Sequence, residues 1–132
     1  MPALRNEVLK ANKEFVEGFG DRGALSPQPI RKVAVLTCMD ARIDTFAISG
    51  MNIGDMNVIR NAGGRASDDA VRSLLISAKF LGSTDWFIIQ HTECGMESVD
   101  DSEIAKAFEA HEDHEGNFMF YDFMSEAFYV FY

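Results

Sequence analysis

Three short apolar runs rich in β-branched residues do most to limit the folds open to this chain. Residues 32–37 read KVAVLT, residues 56–60 MNVIR and residues 85–90 DWFIIQ. Each is too short for a buried helix and lacks helical periodicity, so each reads as a strand. Helix-like segments separate them. Residues 43–50 form a short helix or turn closed by Gly50, and residues 69–81 place Val71, Leu74, Leu75, Ala78 and Leu81 on one stripe, ended by Gly82. Ser67 or Asp68 is a suitable N-cap for that helix, and Asp68 and Asp69 suit its positive end. Asp101 caps a further helix running to about Ala110. Strands alternating with helices imply an α/β fold, a small parallel β-sheet flanked by helices.

An amphipathic segment precedes this core. Leu4, Val8, Leu9, Ala11, Phe15, Val16 and Phe19 approximate helical spacing over residues 3–19, before Gly18, Gly20, Gly23, Pro27 and Pro29 break it. The expected organisation is one domain: an N-terminal helical arm and loop (1–29), an α/β core (30–110) and a tail (111–132). The tail is set apart by composition. Residues 97–132 hold 10 acidic residues and one basic residue, which is the whole net charge of −9, and eight of the 15 aromatics lie in 118–132. An acidic chain is a poor ligand for nucleic acid. No apolar run reaches the ~18 residues of a membrane span, and the first residues lack the apolar core of a secretory signal. A cytoplasmic protein that binds neither nucleic acid nor membrane is expected.

Chemistry gathers at two strand ends. Cys38 follows the first strand, and His91 and Cys94 follow the third. In open parallel sheets, functional groups lie beyond the carboxyl ends of the strands, where strand order reverses. If the second and third strands flank the first, two thiolates and an imidazole converge, a set known from zinc sites that keep an open position. The spacing alone leaves open a Cys38 that packs as a small hydrophobe beside an unrelated His-x-x-Cys. Asp40 and Arg42 complete a Cys-x-Asp-x-Arg run. A carboxylate there can orient a metal-activated water, with the guanidinium holding it ionised. The pair also suits a solvated surface ion pair. Asn61-Ala62-Gly63-Gly64 lacks the Lys-Ser/Thr of a phosphate-binding loop. His111 and His114 read as solvated side chains in an acidic stretch.

CMDAR, RNAGG, DDAVRSL and HTECGM, in this order and spacing, resemble the β-class carbonic anhydrases, in particular the small bacterial and fungal type. The resemblance covers about residues 30–108. It implies that Cys38, His91 and Cys94 hold Zn2+, and that Asp40 and Arg42 form the catalytic pair, with Asp40 a fourth ligand in a closed state. Gly63 and Gly64 are implied to let the backbone approach the crevice. The implied reaction is reversible hydration of carbon dioxide to bicarbonate and a proton. The same scaffold serves hydrolases of carbonyl sulfide or carbon disulfide, and a non-catalytic zinc-binding truncated homologue is the further alternative. The resemblance also implies a homodimer, its N-terminal helix crossing to the second subunit and its zinc cleft at the interface. Leu4, Val8, Phe15 and Phe19 would otherwise leave an apolar surface in water. After about Phe108 the chain departs from the family. There FMFYDF or AFYVFY is expected to serve either as a replacement edge strand or as an exposed aromatic surface.

Overall fold

The computed structural model describes residues 2–100, 102, 103, 106, 118–122 and 127–131. The three apolar runs form strands β1 (Val33–Cys38), β2 (Met56–Asn61) and β3 (Asp85–Ile89). All are parallel, in the order β2-β1-β3. Helix α1 (Pro2–Glu17) precedes β1, α2 (Thr45–Ser49) follows it, and α3 (Asp68–Phe80) connects β2 to β3. The chain divides into two units, Met1–Cys94 and Gly95–Tyr132. That division falls ahead of the 110/111 boundary drawn from composition.

β1 is central and buried along its whole length. Its side chains alternate between two faces, as a strand requires. Ala34 and Leu36 meet Ala70 and Leu74 of α3, with Ile59 alongside. Val33 and Val35 meet Met56 on the other face, with Met51, Val58 and Ile89 packed against them. Two of the polar residues buried near this core partner each other. Ser77 Oγ donates to Asn57 Oδ1 at 2.7 Å and lies 2.6 Å from Ser83 Oγ.

Local signals end the helices where the residues permit. Asp44 accepts hydrogen bonds from the Phe46 and Ala47 amides at the start of α2, and Gly50 closes it in the left-handed conformation at φ 63°. Ser67 caps α3, with Asp68 and Asp69 in its first turn. α1 stops at Glu17, short of Phe19. Arg22 donates to the Gly18 and Phe19 carbonyls just past its C-terminus and lies over the Phe15 and Phe19 rings. The helix is otherwise unsheltered, with Leu4, Val8, Phe15 and Val16 exposed.

β3 departs from a fully covered sheet. Trp86, Phe87 and Ile88 remain 43–51% exposed, because β3 is an edge strand and successive side chains look to opposite faces. In the second unit, β4 (Phe118–Asp122) and β5 (Ala127–Phe131) pair antiparallel as a separate two-stranded sheet. Antiparallel partners joined by four residues close more readily than a distant parallel pair. Residues 102, 103 and 106 are helical, but Asp101, His111, His114 and most of the expected last helix lie outside the described residues.

Ser67→Ala removes the cap of α3 and is expected to cost about 1 kcal/mol. For a domain of this size that is a fall of roughly 4 °C in the thermal midpoint, which circular dichroism would register. An unchanged midpoint would show that the cap contributes nothing.

Candidate metal centre

The site begins where the ladder of β1 ends. Thr37, fully buried, donates from Oγ1 to the Ile89 carbonyl at 2.9 Å, tying the carboxyl ends of β1 and β3 together. Cys38 therefore stands next to the turn that follows β3. That turn reverses at Glu93, which adopts a left-handed φ of 56°, and carries Cys94 back toward β1. Cys38 and Cys94 are both free thiols, with sulfurs 3.9 Å apart.

His91 completes the group. One atom each from Cys38, His91 and Cys94 lies within 4.8 Å of the others. His91 Nδ1 is 2.9 Å from the Thr92 carbonyl, so the hydrogen on that nitrogen is donated there. The tautomer leaves Nε2 as a lone-pair donor. Nε2 is buried and has no hydrogen-bond partner, an arrangement that is costly unless something else occupies the lone pair. Two sulfurs each about 2.3 Å from one tetrahedral ion stand about 3.8 Å apart. The observed sulfur separation, the orphaned imidazole nitrogen and the soft donor set all fit zinc.

The backbone shapes the thiol's surroundings. The main-chain amides of Asp40 and Gly63, together with the His91 ring, favour the thiolate of Cys38. Together they outweigh burial and hold the thiol down at about 7. His91 is raised in turn, chiefly by Cys38. Gly63 and Gly64 both have positive φ, 77° and 60°. A Cβ on Gly64 would lie 3.0 Å from the Cys38 nitrogen and the Thr37 carbonyl carbon. These glycines do let the backbone approach the crevice, as the family resemblance implies. Asn61 staples their loop by accepting from the Arg65 amide at 2.8 Å and donating to the Arg65 carbonyl at 2.7 Å.

Asp40 and Arg42 form the second half of the site. Arg42 donates from Nε to Oδ1 at 3.0 Å and from Nη2 to Oδ2 at 2.8 Å, and its amide adds a bond to Oδ1 at 2.9 Å. These bonds hold the carboxyl far below the usual carboxylate range. Oδ2 lies 3.9 Å from His91 Nε2. The five residues singled out in sequence, Cys38, Asp40, Arg42, His91 and Cys94, are thus brought together. Arg60 escaped that reading. Its side chain donates to the Cys38 carbonyl at 2.9 Å and to the Asp40 carbonyl at 2.7 Å. Its position just before Asn61, at the carboxyl end of the neighbouring strand, was the available signal.

The carbonic anhydrase family model matches residues 33–117, which include all of these positions. This chain belongs to the β-carbonic anhydrase family. It is 36% identical over 106 residues to Beta-carbonic anhydrase 1 of Mycobacterium tuberculosis, covering 80% of this chain and 64% of that relative. It is 40% identical over 103 residues to a carbon disulfide hydrolase of Acidianus, covering 78% of this chain and 50% of the relative. Among solved structures, the carbonic anhydrase from Glaciozyma antarctica superimposes with a TM-score of 0.72 at 44% identity, over 80% of this chain and 62% of the other. This β-carbonic anhydrase family member therefore spans a little under two thirds of the mycobacterial relative and half of the Acidianus one.

Gly64→Ala is expected to lower stability by about 2 kcal/mol or more. The left-handed φ alone costs a side chain ~1–2 kcal/mol, and the new methyl group would press on unyielding backbone. A urea midpoint equal to that of the unaltered protein would show that the close approach is not needed.

Proposed function

We propose that this chain is a zinc enzyme that hydrates carbon dioxide reversibly to bicarbonate and a proton. Cys38, His91 and Cys94 are its metal ligands, and Asp40 and Arg42 its catalytic pair. The observation that carries the reading is the Cys-His-Cys group beside a carboxylate already fixed by three hydrogen bonds from Arg42. Zinc held there supplies Lewis-acid activation of water near neutral pH.

The chain's own residues supply orientation. Asp40, kept ionised by Arg42, accepts a hydrogen bond from the attacking water and points its lone pair at the carbon of carbon dioxide. His91 keeps its Nδ1 hydrogen on the Thr92 carbonyl, so its ring neither rotates nor changes tautomer. The Arg42 clamp supports the open form of the site over one closed by Asp40 as fourth ligand, since closure would break charge-assisted bonds. Two free thiols in the site suit a reducing, cytoplasmic compartment. Among the described residues no helix is long and apolar enough to cross a membrane.

Similarity to carbon disulfide hydrolases favours one second reading, hydrolysis of that gas by the same residues. Stopped-flow assay of protein with known zinc content, offered carbon dioxide and carbon disulfide in turn, separates the two. Bound zinc with turnover of neither of these gases nor of carbonyl sulfide would assign a non-catalytic zinc protein. Cys38→Ser is expected to lose most of its zinc. Asp40→Asn should keep zinc and lose about 10–100-fold in turnover, the usual cost of removing a partner that orients a site. Full zinc in the first variant would overturn the ligand set, and unaltered turnover in the second would overturn the role of Asp40.

We also propose a homodimer. The exposed stripe of α1 and the half-exposed apolar residues of β3 offer apolar surface that a second copy of the chain can cover. Sedimentation at low micromolar concentration should give twice the chain mass of 14.7 kDa. A folded, active monomer would overturn the proposal.

A further inference from the structure

The turn from Cys38 to Asp40 carries two functional groups and has little ladder of its own. Strand pairing to β3 ends at Thr37 opposite Ile89. Toward β2 the last backbone bond runs from the Met39 amide to the Asn61 carbonyl at 2.8 Å. The Cys38 and Asp40 carbonyls then turn away from the sheet, and both are gathered by one guanidinium. Arg60 reaches the first from Nε at 2.9 Å and the second from Nη2 at 2.7 Å. The Asp40 carbonyl also accepts from the Ile43 amide at 3.0 Å, which tightens the turn further.

We infer that Arg60 is a positioning residue of the metal centre, whose two-pronged grip on the Cys38 and Asp40 carbonyls fixes the turn that carries the Cys38 sulfur and the Asp40 carboxylate. The inference rests on the reading of Cys38 as a ligand. The physical argument is one of geometry. Two carbonyls flank the peptide unit that presents the Asp40 N–H. Holding both limits how far the turn from Cys38 to Asp40 can move. The same grip fixes where the Asp40 side chain leaves the backbone, and hence where its carboxylate meets Arg42 and His91. Outer partners of this kind orient the groups that ligate a metal. The planar fork of the guanidinium donates to the two carbonyls from two nitrogens held in fixed directions. The compact ammonium of lysine lacks that fork.

The test uses the full chain and reads metal binding without reading turnover. Arg60→Met and Arg60→Lys are loaded with zinc, and affinity is measured by competition with a chromophoric chelator. Each is then loaded with cobalt(II), and the sulfur-to-cobalt charge-transfer band is recorded. Both variants should bind one ion per chain about 10–100-fold more weakly than the unaltered protein. Both should also shift the cobalt band, with lysine failing to restore either property. Unaltered affinity and band in Arg60→Met would overturn the inference. So would weaker binding with an unshifted band, because a variant that is merely less stable binds fewer ions in an unaltered site. Recovery by Arg60→Lys would reduce Arg60 to a source of charge and overturn the fork. Cys38→Ser serves as the control: metal retained there overturns the ligand reading and the role of Arg60 with it. Absence of carbon dioxide turnover in the unaltered protein leaves these measurements standing and counts against the proposed reaction alone.

Discussion

β1 is hydrogen-bonded along both edges, to β2 over Val33–Cys38 and to β3 over Val33–Thr37. Its side chains are buried on both faces. The consequence is chemical. Because both neighbours run parallel to β1, all three carboxyl ends emerge on one side of the sheet, and the chain leaves them in different directions. Cys38 at one end, the turn carrying His91 and Cys94 at a second, and the Arg60–Gly64 segment at the third all meet there. The Thr37 to Ile89 hydrogen bond adds a side-chain tie at the place where the ladder gives out.

The electrostatics of the site follow from that convergence. Two sulfurs and a carboxylate lie close together at the strand end, an arrangement that would repel if it were ionised and unsupported. Support comes in three forms. The main-chain amides of Asp40 and Gly63 favour the thiolate of Cys38. Arg42 grips the Asp40 carboxylate. Arg60 grips the carbonyls between them. The Cys38 thiol is therefore held down at about 7, and the Asp40 carboxyl well below the usual carboxylate range. Both effects favour a soft, anionic donor set ready for a cation.

Apolar surface is distributed unevenly around this site. The core on the α3 side of β1 is closed by Ala70 and Leu74, whereas β3 exposes Trp86, Phe87 and Ile88, and α1 exposes much of its stripe. Such surface is unfavourable in water by tens of calories per square ångström. The chemistry sits at the well-packed centre, and the surfaces that call for cover lie at the edge and on the arm.

What the sequence determined by itself was the set of elements and the chemical alphabet of the site. KVAVLT, MNVIR and the apolar run from Asp85 are strands because β-branched residues bounded by polar and glycine-rich turns have no better local choice. Ser67 and Gly50 bound their helices for equally local reasons. Cys-x-Asp-x-Arg and His-x-x-Cys were legible for the same reason: their residues are close in the chain and rare in type. Tertiary structure alone decided which strand lies in the middle, and so whether Cys38 would meet Cys94 across 56 positions of chain. It decided that the tail strands pair with each other, a matter of which backbone groups come within reach. It also decided the part played by Arg60, which in sequence is one more charged residue near the end of a strand. Hydrogen bonds to carbonyls leave no mark on the residues that accept them, because every residue has the same carbonyl to offer. A contact of that kind is written only in space.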